Sequence, residues 1–200
     1  MASGPAGSVE GLRTTELMLR ILMRGVIETG SARTLAAETG LGPEALDSLI
    51  TKGALADDEG LLYVTEAGDH RLTEELHAQL APGEESPMAA FAEEFGVLDV
   101  ELKSAVTAWQ WAIREGDQES QVRAVERWLE TDSRLREAAA RAQVPARLFS
   151  TCLTRLESAR QHVLDGDPDE LSGAQDTSYH SVWFLLHEML LRTLKREREG

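Results

Sequence analysis

"RTLAAETGLGPEALDSLITKGAL", residues 33–55, and "LLYVTEAG", residues 61–68, decide the fold, with an acidic turn between them. The first stretch predicts a helix ending at Gly40, a short turn, and a second helix with Pro43 in its first turn. Leu46, Leu49 and Ile50 then form one apolar stripe on that second helix. "GAL", the turn containing Asp57, Asp58, Glu59 and Gly60, and "LLYV" read as a hairpin. Thr65 stands where it caps a following helix over "EAGDHRLTEELHAQL". Upstream, Leu17, Leu19, Ile21, Leu22, Val26 and Ile27 recur near helical spacing. Gly30 is placed to stop that helix and Ser31 to cap the next.

Helix–helix–helix–hairpin–helix is the order of a winged helix-turn-helix. These stretches resemble the winged-helix modules of bacterial regulators such as the MarR type. Downstream, "APGEESP", residues 81–87, reads as a linker. Beyond it every periodic segment is helical. Phe91, Phe95, Leu98, Leu102, Val106 and Trp109 mark one long helix, and Val122, Val125, Trp128, Leu129 and Leu135 a second. Pro145 opens a third, which Gly166 and Pro168 end. The polar loop "DGDPDELSGAQD", 165–176, leads to a fourth. The expected fold is mainly α: a disordered N-terminus over 1–12, a winged helix over 13–80 with a small β-hairpin, the linker, and an all-helical, about four-helix domain over 88–200.

Charge bears on use. The chain carries 20 basic against 35 acidic side chains, a formal net charge of −15. That field repels phosphate backbones and anionic lipid surfaces. A winged helix that reads DNA docks its third helix in the major groove, and its affinity comes largely from Arg and Lys on phosphates. Here residues 1–80 hold Arg13, Arg20, Arg24, Arg33, Lys52 and Arg71 against more than twice as many acids. Off the apolar stripe, the third helix offers Glu44, Asp47, Ser48 and Thr51, with Lys52 the nearby cation. If DNA is bound, Arg33, Ser48, Thr51 and Lys52 are the expected contacts. The acidic hairpin tip favours protein contact instead.

The end of the chain, "TSYHSVWFLLHEMLLRTLKRERE" at 177–199, poses a chemical question. His180 and His187 lie two helical turns apart, roughly 10 Å along the axis, too far to share one metal ion. The i, i+4 pair of helical zinc sites is absent. Glu188 projects about 100° from His187 and finds its natural partner in Arg192, four residues on. Val182, Leu185, Leu186, Met189 and Leu190, with Trp183 and Phe184, make the segment apolar almost all round, the profile of a helix buried among others. Core histidines are the expectation. A ligand or partner surface would draw on Trp109, Tyr179, His180, Trp183 and His187.

No phosphate-binding glycine loop, nucleophile elbow or calcium-loop spacing occurs, and no metal or cofactor is expected. Cys152, the single cysteine, reads as a buried thiol and fits a reducing cytoplasm. No apolar run approaches the roughly 20 residues that cross a bilayer. The opening "MASGPAGSVEGLRTTE" lacks the charged and apolar regions of a secretory signal.

Three segments together resemble something narrower. "SYHSVWFLLHEMLLRTL" at 178–194 is similar to a motif near the end of actinobacterial proteins related to phosphoenolpyruvate-utilising enzymes and pyruvate, phosphate dikinase, of the form S-Y-H-T-V-W-F-E-L-H-E-D-L. "VTAWQWAIREGD" at 106–117 stands for that family's T-D-W-Q segment, and "YVTEAG" at 63–68 for the turn closing its winged helix. The resemblance implies an accessory module, with phosphotransfer chemistry carried elsewhere. Trp109, Gln110, Tyr179, His180, Val182, Trp183, Phe184, Leu186, His187 and Glu188 match. Ala108, Leu185 and Met189 stand where the pattern has carboxylates, which points to packing or a partner in place of a polar site.

The expectation is a cytoplasmic, non-catalytic regulatory or adaptor protein. It acts through protein contacts, with a phosphoenolpyruvate-utilising-type enzyme as possible partner and a homodimer as possible state. A MarR-like DNA-binding regulator is the first alternative. A small enzyme or small-molecule-binding protein with a pocket among the helical domain's aromatics is the second.

Overall fold

The computed structural model describes residues 9–167, 169–173 and 176–196. It is mainly helical with a small three-stranded antiparallel sheet, and it divides into two compact units. The first runs to Ala81 and resumes at Glu188; the second is Pro82–His187.

In the first unit, α1 (Val9–Arg24) begins inside the stretch expected to be disordered. Residues 1–8 lie outside the described residues. The helix stops earlier than Gly30, because Gly25 takes φ 72°, a conformation that costs glycine little. Ile27 and Glu28 are therefore not helical; they form β1, with Ile27 buried and Glu28 exposed. Glu28 sits at the cap of α2 (Thr29–Glu38), which places Gly30 and Ser31 inside that helix. Pro43 immediately precedes α3 (Glu44–Thr51), and Lys52 follows it.

β2 (Leu55–Asp58) and β3 (Leu61–Val64) make the expected hairpin. Glu59 and Gly60 both have positive φ, the two-residue primed turn that matches strand twist. The turn is fixed by Asp57 Oδ1, which accepts from Gly60 N–H at 2.8 Å. β3 lies centrally in the order β1-β3-β2, pairing Leu62 with Ile27 and with Asp57. Alternation turns Leu62 inward, and Leu61 and Tyr63 outward. Leu17, Leu19, Ile21, Leu35, Leu46, Leu49, Leu55, Leu72 and Leu76 complete this core.

Thr65 caps α4 (Glu66–His77) as expected: its hydroxyl accepts from Gly68 N–H at 3.0 Å and donates to the Gly53 carbonyl at 2.6 Å. Gly68 packs so closely that an added Cβ would lie 2.0 Å from the Ala54 carbonyl oxygen. Arg192, in the last helix, and Lys195 just beyond it are bound to α4. Arg192 meets Asp69 at 2.8 Å and Thr73 at 3.0 Å, and Lys195 meets Glu74 at 2.8 Å. These ties accompany the grouping of Glu188 onward with the first unit.

In the second unit, α5 (Glu85–Glu115) already includes Ser86 and Pro87, since a first-turn proline forfeits no helical bond. The linker is thus shorter than 81–87. Gly116, at φ 69°, ends α5, and Asp117 caps α6 (Gln118–Arg141) by accepting from Ser120 N–H at 3.1 Å. That two-residue corner folds α6 back along α5. Arg134 to Glu101 and Arg141 to Glu94, at 2.5 and 2.6 Å, tie the pair along its length. Val122, expected in the apolar stripe of α6, is 58% exposed; the buried stripe is Ala124, Trp128, Asp132, Leu135 and Ala139. α7 (Ala146–Leu164), the one-turn α8 (Asp169–Ser172) and α9 (Tyr179–Thr193) follow. The loop expected as irregular over 165–176 thus holds α8; residues 168, 174 and 175 of that loop lie outside the described residues.

Gly68→Ala is expected to destabilise the first unit by about 1–3 kcal/mol, because a buried methyl would have to displace backbone. Urea unfolding of the variant against the parent measures it.

Candidate functional site

The expected site residues on α9 form a stripe: Tyr179, Trp183 and His187 recur every four residues. Tyr179 and Trp183 are fully buried, and His187 is 17% exposed. The stripe faces two buried carboxylates, Asp99 of α5 and Asp132 of α6, which are 5% and 2% exposed.

Asp99 accepts from the Trp183 indole N–H at 3.0 Å through Oδ1 and from Lys103 Nζ at 2.7 Å through Oδ2. His187 Nδ1 lies 4.0 Å from the same Oδ2. Phe95 stacks on Trp183 with centroids 4.7 Å apart and leans on His187 at 5.2 Å. Asp132 accepts the Tyr179 hydroxyl at 2.8 Å and two Arg136 bonds at 2.9 and 3.1 Å. Arg160 of α7 approaches it at 3.3 Å, and Glu157 pairs with Arg136 at 2.8 Å. Trp128 stands edge-on to Tyr179 at 5.1 Å. A carboxylate moved out of water is costly unless it is paired and bonded, and both of these are.

Burial, and then the neighbouring charge of Asp132, hold the Tyr179 phenol well above its ordinary range, so it stays a donor. His180 occupies the flank of α9, edge-on to Phe184 at 4.5 Å. Burial lowers its pKa, with Lys103 adding to that and Asp99 opposing. His180 and His187 thus contact different rings, as two turns of separation requires. Trp109 is half-buried and belongs to none of the ring pairs among the described residues. Its neighbour Trp111 is 56% exposed and carries the Arg114 guanidinium 3.6 Å above its ring.

Three of the five expected residues therefore converge, and they converge on acids that the sequence reading passed over. The signal was present. Asp99 sits in the series Phe95, Leu98, Leu102, Val106, and Asp132 lies four residues after Trp128 and three before Leu135. A carboxylate on an apolar stripe is either an error of register or a buried partner.

Elsewhere, Cys152 is buried as expected. Glu188 pairs with Arg192 at 2.7 Å. Among the described residues no group of three or more His, Cys, Asp or Glu side chains is placed to hold a metal ion, and no helix is long and apolar enough to cross a membrane. Of the residues expected at DNA, Arg33, Thr51 and Lys52 are exposed and Ser48 is half-buried. Compared with protein-family models, curated proteins and solved structures, the chain matches none.

Chemically, the arrangement is a pair of buried carboxylate anchors, each hydrogen-bonded and charge-paired. Every polar atom on the stripe that bonds a carboxylate does so from within the packed interior, and the bonds hold α9 in one register against α5 and α6. Asp132→Ala is expected to cost about 1–3 kcal/mol, because the buried Tyr179 hydroxyl would lose its acceptor while Arg136 and Arg160 would keep only Glu157; chemical denaturation of the variant measures the loss. The titrations give a second test. Tyr179 keeps its proton in the folded state when the unfolded chain loses it, so stability falls as pH rises past about 10. Tyr179→Phe should flatten that alkaline fall while lowering stability near neutrality by about 1–3 kcal/mol. For His180 the folded state binds protons less readily, so stability falls as pH drops below about 6.5. His180→Gln should reduce that slope.

Proposed function

We propose that this chain is a non-catalytic regulatory or adaptor protein whose first unit is a winged helix turned to protein contact. One observation carries the reading: the surface a winged helix would offer to DNA is acidic. Glu44 and Asp47 are exposed on α3, and Asp57, Asp58 and Glu59 are exposed at the hairpin that would be the wing. Phosphate affinity needs cations in those places, and each acid there adds repulsion.

The cations of this unit are largely engaged within it. Arg20 is buried against Glu38 at 2.8 Å, Arg13 donates to the Gly40 carbonyl at 3.2 Å, and Arg71 pairs with Glu75 at 2.7 Å. The helical unit supports the non-catalytic part of the reading, since its conspicuous polar side chains are committed to one another. The resemblance to accessory modules of phosphoenolpyruvate-utilising proteins makes an enzyme of that kind the proposed partner. The MarR-like reading rests on element order, and Arg33 and Lys52 are the cations it would use.

A mobility-shift titration at low salt (about 50 mM) against a random-sequence duplex library tests the proposal. No retained fraction is expected. Tight binding that weakens steeply with added salt would replace the adaptor with a DNA-binding regulator.

A further inference from the structure

An antiparallel sheet with one solvated face alternates apolar inward and polar outward along its strands. β3 departs from that rule. Its inward Leu62 is buried, yet both outward positions are also large and apolar, Leu61 being 45% and Tyr63 39% exposed. The register sets their neighbours on the same outer face. Tyr63 lies opposite Ala56 of β2, and Leu61 lies between Asp58 of β2 and Glu28 of β1. Val26, just before β1, adds a third exposed apolar side chain at that border. The face is thus an apolar patch beside an acid–leucine–acid row. Glu28 and Asp58 are both exposed, and among the described residues no cation pairs with either.

We infer that this outer sheet face docks an amphipathic helix of the partner protein, laid across the strands. Two Lys or Arg side chains seven residues apart on that helix meet Glu28 and Asp58, and apolar side chains between them cover Leu61 and Tyr63. Charge and spacing select this occupant. The two acids stand on the outer strands of three, two strand spacings or roughly 10 Å apart. Residues i and i+7 of a helix are separated by about the same distance, with i+3 and i+4 between them on the same side. An extended segment repeats one face at roughly 7 and 13 Å and fits neither acid pair nor leucine as well. A second copy of this face would set acids against acids and is disfavoured. The inference rests on the reading of the first unit as a protein-contact module and names the chemistry of its partner.

The probe is a designed helical peptide of about 20 residues, with Lys at i and i+7 and Leu at i+3 and i+4, beside a twin in which Glu replaces Lys. Titrated by fluorescence anisotropy against the full chain at ~50 mM salt, the Lys peptide should bind with a Kd below about 100 µM, and the Glu twin should not bind. Glu28→Lys with Asp58→Lys should weaken binding at least about tenfold. Leu61→Glu should do the same, and Leu61→Thr, which suits a strand, replaces it if the melt of the first variant shifts. Glu126→Lys with Glu130→Lys, exposed acids of α6, changes the net charge equally and should leave binding within about twofold. No binding of the Lys peptide at about 1 mM, equal loss in the α6 pair, or indifference to Leu61 overturns the face. A concentration-dependent dimer in sedimentation velocity that Leu61→Thr breaks gives the face to a second copy and overturns the partner helix. Retention of duplex DNA at low salt overturns the underlying reading, whereas loss of peptide binding without such retention overturns this face alone.

Discussion

Two carboxylates inside a helical interior set the terms for everything packed around them. Asp99 and Asp132 are each almost wholly removed from water, and a buried anion is tolerated only where donors and positive charge converge on it. Lys103 and Arg136 supply charge from the acids' own helices, four residues on. α9 supplies the Trp183 and Tyr179 donors, and α7 supplies Arg160. Sliding α9 by one residue would turn both donors away from both acids, and a shift of a whole turn would leave one acid without its α9 donor. The acids thus specify one arrangement of helices that apolar contacts alone would leave open to alternatives.

This explains why a segment rich in Tyr, Trp and His, with the look of a reactive motif, is so thoroughly enclosed. Its polar atoms are aimed, but at partners in the same unit. The first unit spends its cations in a comparable way. Buried Arg20 pairs with exposed Glu38, and Arg192 ties α9 to α4 through Asp69 and Thr73. What remains on the outward side of α3 and the hairpin is predominantly carboxylate. A surface of that sign, on a chain of the same net sign, would suit the proposed protein partner only if that partner brings cations of its own.

Much of the fold was legible because its signals are local. Pro43, the Thr65 cap and the acidic two-residue turn each fix the backbone within a few residues, and the long helices repeat their apolar residues often enough to be counted. The misread boundary at Gly25 and Gly30 has a physical cause. Val26 and Ile27 continue the helical spacing of α1, but Ile27 is buried by pairing with Leu62, some 35 residues away, which local spacing does not reveal. The grouping of Arg192 and Lys195 with α4 was not legible for the same reason: their ties to Asp69, Thr73 and Glu74 are contacts distant in sequence. At the site, the aromatic and histidine residues stand out in the sequence, while Asp99 and Asp132 do not. Their placement on apolar stripes was readable, but the partners that make burial tolerable come from another helix.

The account depends on Trp183 being locked to Asp99 in a closed interior, and the indole N–H reports this directly. Hydrogen exchange of the tryptophan indoles, followed by NMR, should find Trp183 exchanging only through unfolding of the helical unit, orders of magnitude slower than exposed Trp111. Exchange of Trp183 at a rate close to that of Trp111 would show that the interior opens readily, and the two acids would then be members of an accessible site rather than anchors of the fold.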